Sequence, residues 1–269
     1  MMGRAFGLVS AHRGGAGRDR AAENKRSTLE RAAGLGCEFV ELDVQVTADE
    51  KLVLLHDGRL RISGRVVPVS SVRYETLVET LGDVVTLGEV ATILAGRAGA
   101  HVDLKLVSAP ECYDDPESTL EVKAVEQVLE RLEPGGVVVT SQDDRSVRAV
   151  RTWAVVHAPE LRVGLSLGRG VTSTGLLHFL PVKFSELFPR RRLESSGANL
   201  VVASKGLARM HVAGVARRLG LPLLVWTVDD GRGLRYWLSH ERAWLVTTNV
   251  PSRALRLRAR IETEHSARR

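Results

Sequence analysis

The sequence predicts a (β/α)8 barrel, since eight short apolar segments of strand length alternate with stretches of helical periodicity. The 269 residues are enough for one such barrel, because barrels of about 250 residues are common. Hydrophobic residues make up 44% and charged residues 26% of the chain, the ordinary balance of a globular protein. We therefore expect a single barrel domain that spans residues 1–269.

Each predicted strand is a short apolar run. In chain order the runs are GLVSAH, FVELDVQV, HVDLKL, VVVTS, RVGLSL, NLVVAS, LLVWTV and WLVTT. Between most of them lie segments whose apolar residues recur at every third or fourth position, such as TLEVKAVEQVLERL, DRSVRAVRTWAVVH, LARMHVAGVARRLG and VPSRALRLRARIE. We expect these segments to form the outer helices of the barrel.

An insertion interrupts this alternation after the second strand. The run KLVLLH and the stretch 57–85 stand between FVELDVQV and the helix TLGEVATILAG. Insertions at the carboxyl end of a barrel strand usually lie over the active site. We expect this insertion, together with the loop near 184–196, to shape a substrate pocket.

The second predicted strand carries two carboxylates where a barrel normally has apolar side chains. Glu41 and Asp43 are two residues apart, so they share one face of the strand at a spacing of roughly 6.6 Å. At an effective dielectric constant of about 20, this spacing costs about 2.5 kcal/mol of repulsion. The pair therefore needs a compensating partner, unless both side chains face solvent on an edge strand.

Other polar residues lie where neighbouring strands end, and the active sites of barrels lie at these strand ends. Asp103 in HVDLKL joins Glu41 and Asp43 as a third carboxylate. Oxygen ligands without cysteine suit a hard cation such as Mg²⁺ or Ca²⁺. The sequence therefore predicts one divalent cation as cofactor, whose charge would turn the repulsion into attraction.

His12 and His56 end the first strand and the KLVLLH run, and they are the candidate acid–base pair. Imidazole titrates near neutral pH, so one ring can accept a proton while the other donates one. A single histidine at a strand end is more often a packed core residue, and that alternative stays open for each. The remaining histidines lack such neighbours and are expected to be structural: His101, His157, His178, His211, His240 and His265.

Arg13 and Lys105 add two cations to the same region. Arginine can hold a phosphate through two parallel hydrogen bonds, and lysine supplies a compact charge. Cations, a metal and paired imidazoles together indicate cleavage of a phosphodiester. In the structural alternative, Lys105 only forms an ion pair with Asp103. The GGAG segment at 14–17 lacks the lysine and hydroxyl residue of a P-loop and predicts a tight turn.

The net charge of +6 includes arginine-rich segments at 189–192 and near the C-terminus. No aromatic residues are interleaved with them, so we do not expect binding of nucleic acid. No apolar run approaches the roughly 18 residues of a membrane span. The N-terminal segment lacks the pattern of a signal peptide. Cys37 and Cys112 form no disulfide framework. We expect a cytoplasmic protein without stable membrane insertion that acts on a small molecule; the oligomeric state is not indicated.

Seven motifs in order resemble those of the glycerophosphodiester phosphodiesterase family: AHRGG, EN at 23–24, VELDV, LLHD, VDLK, VWTVDD and TTNVP. The similarity runs through nearly the whole chain. It implies a TIM barrel with an inserted segment after LLHD, and metal-dependent hydrolysis of glycerophosphodiesters to glycerol phosphate and an alcohol. By this resemblance the acid–base residues would be His12 and His56, the metal ligands Glu41, Asp43 and Asp103, the phosphate-binding residues Arg13 and Lys105, and further substrate-site residues Glu23, Asn24, Trp226, Asp229 and Asn249.

Some positions depart from the family pattern. The third metal ligand is usually the glutamate of an E-I-K motif, whereas here it is Asp103. The DLK, WTVD and TN motifs, which include Asp229 and Asn249, are similar to those of spider-venom phospholipases D. Lys25 replaces the threonine common after EN. These departures leave open a phospholipase D-like transferase that acts on lysophospholipids and forms a cyclic phosphate. A non-catalytic barrel that binds anionic surfaces through its arginines is a further alternative.

Overall fold

The computed structural model describes residues 6–168 and 188–267. Its strands are β1 (Leu8–Ala11), β2 (Phe39–Val46), β3 (Leu52–Leu54), β4 (Arg59–Ile62), β5 (Arg65–Pro68), β6 (Gly99–Leu104), β7 (Val137–Ser141), β8 (Arg162–Leu167), β9 (Leu200–Ser204), β10 (Leu223–Trp226) and β11 (Leu245–Thr248). Its α-helices are α1 (Arg26–Gly34), α2 (Tyr74–Leu81), α3 (Leu87–Leu94), α4 (Leu120–Leu129), α5 (Asp144–His157), α6 (Arg190–Ser196), α7 (Lys205–Leu207), α8 (Ala213–Arg218), α9 (Gly231–Leu238) and α10 (Pro251–Ser266). A π-helical turn, Ala208–Val212, joins α7 to α8.

Eight parallel strands close into a barrel, which confirms the predicted fold class. The order around the barrel is β1, β2, β6, β7, β8, β9, β10 and β11, and β11 pairs with β1 to close it. Seven of the eight predicted runs contain one of these strands, and the eighth, HVDLKL, overlaps β6, which begins two residues earlier at Gly99. The sequence pattern therefore located every strand of this TIM barrel.

The barrel interior is apolar at one level and polar above it. Seven inward side chains form a separate buried cluster: Leu8, Phe39, Val138, Leu200, Val202, Leu224 and Leu245. Because side chains alternate along a strand, the positions two and four residues after Phe39 also point inward. These positions are Glu41 and Asp43, so the two carboxylates lie above the apolar layer, toward the carboxyl ends of the strands.

The insertion after the second barrel strand has a small core of its own. The KLVLLH run forms β3, which pairs antiparallel with the end of β2. β4 and β5 form a separate two-stranded hairpin. The buried core of the insertion consists of Val53, Val69, Val72, Leu77 and Val84. The hairpin and α2 therefore form a compact unit beside the carboxyl end of β2.

The loop expected near 184–196 differs from the structure. Residues 190–196 form α6, which packs against α5, and the Arg192 guanidinium binds the Asp144 carboxylate through Nε and Nη2. Residues 184–187 lie outside the described part of the chain. None of the helices within 6–168 and 188–267 is long and apolar enough to cross a bilayer.

Candidate active site

A cavity of about 340 Å³ opens at the carboxyl ends of the barrel strands. The predicted site residues that line it are His12, Arg13, Glu41, Asp43, His56, Asp103, Lys105 and Trp226. The other four predicted residues surround it and form hydrogen bonds with these or with one another: Glu23, Asn24, Asp229 and Asn249. The fold therefore brings together all twelve residues that the sequence selected.

Three carboxylates converge in this cavity. Asp103 lies beside Asp43 in the parallel register of β2 and β6. One oxygen each from Glu41, Asp43 and Asp103 lies within 4.8 Å of the others. Glu41 is 3% exposed and Asp43 is fully buried. This excludes the alternative in which the first two carboxylates face solvent on an edge strand.

Two cations share the acidic cluster. Lys105 Nζ contacts Asp103 and lies 3.3 Å from Asp43 Oδ1. Arg13 Nε lies 2.8 Å from Asp43 Oδ2, and Arg13 Nη1 donates a hydrogen bond of 2.6 Å to Glu23 Oε2. Asp43 therefore lies between two positive charges. The Arg13 side chain is held by two carboxylates at the wall of the cavity.

These charges change the protonation of the cluster. Burial raises the pKa of Glu41 well above its usual range, and the charges of Asp43 and Asp103 add to this effect. Burial would also raise the pKa of Asp43, but Lys105 and Arg13 bring it below its usual value. Burial opposes the raised pKa of Lys105, which results from the charges of Asp103 and Asp43. Glu41 is thus the member of the cluster whose negative charge has the least compensation.

The composition of the cluster fits a divalent cation. When all four are ionised, the carboxylates of Glu23, Glu41, Asp43 and Asp103 bring four negative charges, against the two positive charges of Arg13 and Lys105. Asp43 Oδ1 is buried and accepts no hydrogen bond from the described residues, and its contact there is the ion pair with Lys105 Nζ at 3.3 Å. Carboxylate oxygens are the ligands that Mg²⁺ and Ca²⁺ prefer. A cation bound by Glu41, Asp43 and Asp103 would balance the excess negative charge.

His12 is held in one orientation by Asn249 and Asp229. Asp229 accepts hydrogen bonds of 2.8 Å from the backbone N–H and from Nδ2 of Asn249. Because a carboxylate only accepts, the Asn249 amide must turn its oxygen toward His12 Nδ1, which donates to it at 2.7 Å. In the neutral ring the lone pair is then on Nε2, which lies 3.9 Å from Glu41 Oε2. Burial and the charge of Arg13 lower the pKa of His12, so the neutral ring is the main form near pH 7.

His56 reaches the same cavity from the loop after β3. Its Nδ1 lies 2.7 Å from Asp57 Oδ1, so Nδ1 carries the proton and Nε2 is the other reactive nitrogen. The His56 side chain is 37% exposed, compared with 14% for His12. One imidazole therefore lies deep beside the acidic cluster, and the other lies at the solvent edge with a carboxylate behind it.

A tight turn after β1 positions His12 and Arg13. Arg13 has φ 50°, and its backbone N–H donates a hydrogen bond of 2.8 Å to Glu41 Oε2. Gly15 follows with φ 69°, and a Cβ at this position would lie 2.6 Å from Pro251 Cγ. The glycine-rich segment is therefore a turn packed against the start of α10, as its sequence predicted.

His101, which we expected to be structural, is buried and lines the same cavity beneath the acidic cluster. His101 Nδ1 lies 3.2 Å from Ser10 Oγ, and Nε2 lies 3.2 Å from Thr140 Oγ1. Thr140 Oγ1 also donates a hydrogen bond of 2.7 Å to Asp103 Oδ1. Burial lowers the pKa of His101 to about 4, so the ring is neutral. His101 lies two residues before Asp103, and strand alternation alone would have placed it under the cluster. His178 lies outside the described residues.

Several lining residues had no signal in the sequence. They are Thr140, Gln142, Ser166, Val202 and Thr247, all on strands or strand ends of the barrel. Hydroxyl, amide and apolar residues are all common at such positions, so the types of these five residues do not distinguish them. Two predicted substrate-site residues differ in their hydrogen bonding. Asn24 Nδ2 donates a hydrogen bond of 3.1 Å to Asp43 Oδ2, whereas Trp226 Nε1 has no hydrogen-bond partner in the described part of the chain.

Comparison with known proteins gives a consistent result. Residues 12–251 match the model of the glycerophosphoryl diester phosphodiesterase family. The human lysophospholipase D GDPD1 is 27% identical over 184 residues, which are 64% of this chain and 57% of the human protein. The match thus spans little more than half the length of that relative.

Solved structures of low sequence identity share the fold. A glycerophosphodiester phosphodiesterase from Parabacteroides distasonis superposes with a TM-score of 0.70 at 21% identity, covering 96% of this chain and 99% of that chain. A phosphodiesterase from Oleispira antarctica, in complex with the product sn-glycerol-3-phosphate, gives a TM-score of 0.66 at 18% identity, with coverages of 94% and 96%. These structures support the barrel architecture over nearly the whole chain.

Proposed function

Because the chain belongs to the glycerophosphoryl diester phosphodiesterase family, we propose that it hydrolyses glycerophosphodiesters to glycerol phosphate and an alcohol. One observation carries the proposal. Two imidazoles, each with Nδ1 committed to an acceptor, line one cavity together with three carboxylates that have excess negative charge. This is the set of groups that phosphodiester cleavage needs.

Glu41, Asp43 and Asp103 would hold the divalent cation, Mg²⁺ or Ca²⁺. When bound, such a cation acts as a Lewis acid toward phosphoryl oxygens. Lys105 would stabilise charge on the nonbridging oxygens, since its ammonium group lies at the wall of the same cavity. Arg13 would hold Asp43 in place through its Nε and could meet the phosphate only with the rest of its guanidinium.

The two histidines would move the protons. His12 is neutral and its Nε2 has the lone pair, so it would take the proton of the attacking hydroxyl or water. His56 would give the proton on its Nε2 to the departing alkoxide, while Asp57 accepts a hydrogen bond from Nδ1–H and holds the ring in place. The products are then a neutral alcohol and a phosphate ester. The roles are reversed in a second step if the first product is cyclic.

A turnover screen tests the proposal. Glycerophosphocholine, glycerophosphoethanolamine, glycerophosphoinositol and lysophosphatidylcholine are offered in turn with Mg²⁺, Ca²⁺ or Mn²⁺. Lysophosphatidylcholine is included because a relative is named as a lysophospholipase D. We expect release of the alcohol from at least one glycerophosphodiester. Absence of turnover over the whole grid would favour the non-catalytic barrel.

Phosphorus NMR of the running reaction should show a transient cyclic phosphate followed by an open glycerol phosphate. The neighbouring hydroxyl of glycerol is a built-in nucleophile, and His56, after giving up its proton, could then activate the water that opens the ring. Five-membered cyclic phosphates resonate apart from monoesters, so the two species are resolved. A cyclic product that accumulates stoichiometrically and stays closed would identify the transferase, the alternative favoured by the phospholipase D-like motifs.

Replacing Asn249 by alanine should lower kcat about ten- to a hundredfold, as expected for a hydrogen-bond partner that orients a functional imidazole. The change removes the acceptor of His12 Nδ1–H, so the ring can rotate or exchange its tautomer. The hydrogen bond with Asn249 also raises the pKa of His12, so its loss should lower this pKa further. The acidic limb of the pH–rate profile should then move to lower pH. An unchanged pH profile together with unchanged kcat would show that Asn249 does not position His12.

A further inference from the structure

A second cavity, of about 570 Å³, lies beside the active site. His56 lines both cavities, so the two adjoin at this residue. Segment 20–25 forms one wall of the second cavity, and the hairpin strand β4 in the insertion forms another. Leu54, Leu55 and Leu81 supply apolar surface between these walls. A substrate whose phosphate lies near His56 can therefore extend into this space.

Four cationic side chains line this cavity: Arg20, Lys25, Arg59 and Arg61. Its two carboxylates are already engaged, because Glu23 binds Arg13 and Asp57 binds His56. Arg59 and Arg61 form hydrogen bonds to the backbone carbonyls of Val66 and Gly64. Within 6–168 and 188–267 neither has an ion-pair partner. The walls of the cavity therefore have uncompensated positive charge.

The hairpin places these arginines by the alternation of a β-strand. Leu60 and Ile62 are half-buried against the core of the insertion, so Arg59 and Arg61 lie together on the opposite face. Like-charged residues on one strand face repel each other. An anion between them and the facing wall would relieve this repulsion. A cationic head group such as choline would instead add to it.

We propose that this cavity binds a second phosphate group of the substrate, one that lies beyond the phosphate being cleaved. The preferred substrates are then diesters with two phosphates, for example two phosphodiesters that share one glycerol or a phosphorylated cyclitol attached to glycerol phosphate. The proposal rests on the proposed hydrolysis of glycerophosphodiesters and narrows its substrate class. Arg59 and Arg61 act as specificity-determining residues that contact no reacting atom.

The test compares matched substrates that differ by a second phosphate. Bis(glycerophospho)glycerol is paired with glycerophosphoglycerol, and glycerophosphoinositol 4-phosphate is paired with glycerophosphoinositol. The wild type should favour the member with two phosphates by about tenfold in kcat/KM, the effect of a charge-assisted contact at a partly exposed site. The preference should decrease as salt is added, because the arginines are exposed.

The Arg59→Ala/Arg61→Ala variant should reduce this ratio to about one while kcat/KM for the substrates with one phosphate stays within about twofold of the wild type. Arg65→Ala/Arg73→Ala is the matched control, because it removes the same charge from the same insertion at exposed residues that do not line the cavity. It should keep the preference. An equal loss in both variants, or a wild type without preference, overturns the proposal.

Calorimetry separates this proposal from the proposed function. Binding of bis(glycerophospho)glycerol and of glycerophosphoglycerol is measured on metal-loaded protein in the His12→Ala background, where turnover is slow, with either the wild-type arginines or alanines at positions 59 and 61. Tighter binding of the first ligand that disappears only in the Arg59→Ala/Arg61→Ala variant supports the second-phosphate cavity even if no diester is hydrolysed. Equal binding of both ligands to the protein with the wild-type arginines contradicts it, whatever the turnover screen shows.

Discussion

Replacing His12 by alanine is expected to lower kcat/KM by about 10²–10⁴-fold, the usual contribution of a positioned general acid or base. The change removes the nitrogen that would take the proton of the nucleophile and leaves the Asn249 amide without its donor. His56→Ala should cause a loss of similar size, because the departing alkoxide would then lack its proton donor. Steady-state kinetics on the best substrate of the turnover screen measures both losses.

The double variant should lose less than the product of the two single losses, since the two histidines act as a unit. His157→Ala is the control: it removes an imidazole that also lies beside a carboxylate, Glu117, but on an exposed face of α5. It should keep wild-type rates. Thermal melting should confirm that all variants fold. Wild-type turnover in either active-site variant would return that histidine to a structural role.

The barrel could be predicted from the sequence because its strands are buried on both faces. Such strands read as short, nearly continuous apolar runs, and eight of them separated by helical periodicity leave few other architectures. The insertion was harder to predict, because β3 is also a short apolar run but pairs antiparallel outside the barrel. Its direction depends on the turn that joins it to β2, and the composition of the run contains no information about this.

The side chains of the candidate site could be predicted where a charged residue interrupts an apolar strand. Glu41, Asp43 and Asp103 are such residues, and their positions in register follow from the parallel pairing of β2 and β6. Residues that orient other side chains of the site through hydrogen bonds are harder to recognise in the sequence. Asn249 and His12 are separated by 237 positions, and only closure of the barrel between β11 and β1 makes them neighbours.

The arrangement of Arg13 shows why residue type alone does not assign a role. An arginine next to a strand-end histidine suggested a phosphate ligand, but its Nε and Nη1 contact Asp43 and Glu23. Its backbone N–H also binds Glu41. The same residue thus connects the turn after β1 to two carboxylates of the cluster. Its replacement would disturb the acidic cluster as well as any contact with substrate.

Removal of divalent cations should abolish turnover, and readdition of Mg²⁺ or Ca²⁺ should restore it. Without the cation, the ionised carboxylates of the cluster have excess negative charge. The substrate phosphate, itself an anion, would have to approach these carboxylates without a Lewis acid. Elemental analysis before and after chelation checks the metal content of the protein. Full activity in protein shown to be free of divalent metal would remove the cation from the mechanism.

The Asp43→Asn substitution tests the same cation site by removing the charge of one proposed ligand. Asp43 lies close to Glu41 and Asp103 and contacts Arg13 and Lys105, so the neutral amide should weaken cation binding and reduce kcat/KM by about 10³-fold or more. The amide is nearly isosteric, and the buried backbone of β2 is unchanged, so the barrel should remain folded. Asp114→Asn, which changes an exposed carboxylate outside the site, is the control for charge and should keep both activity and metal content.

Because a cation held by two remaining carboxylates binds less tightly, a higher metal concentration should recover part of the lost rate in Asp43→Asn. A loss of rate that does not respond to added metal would mean that Asp43 acts through Arg13 and Lys105 instead of through a cation.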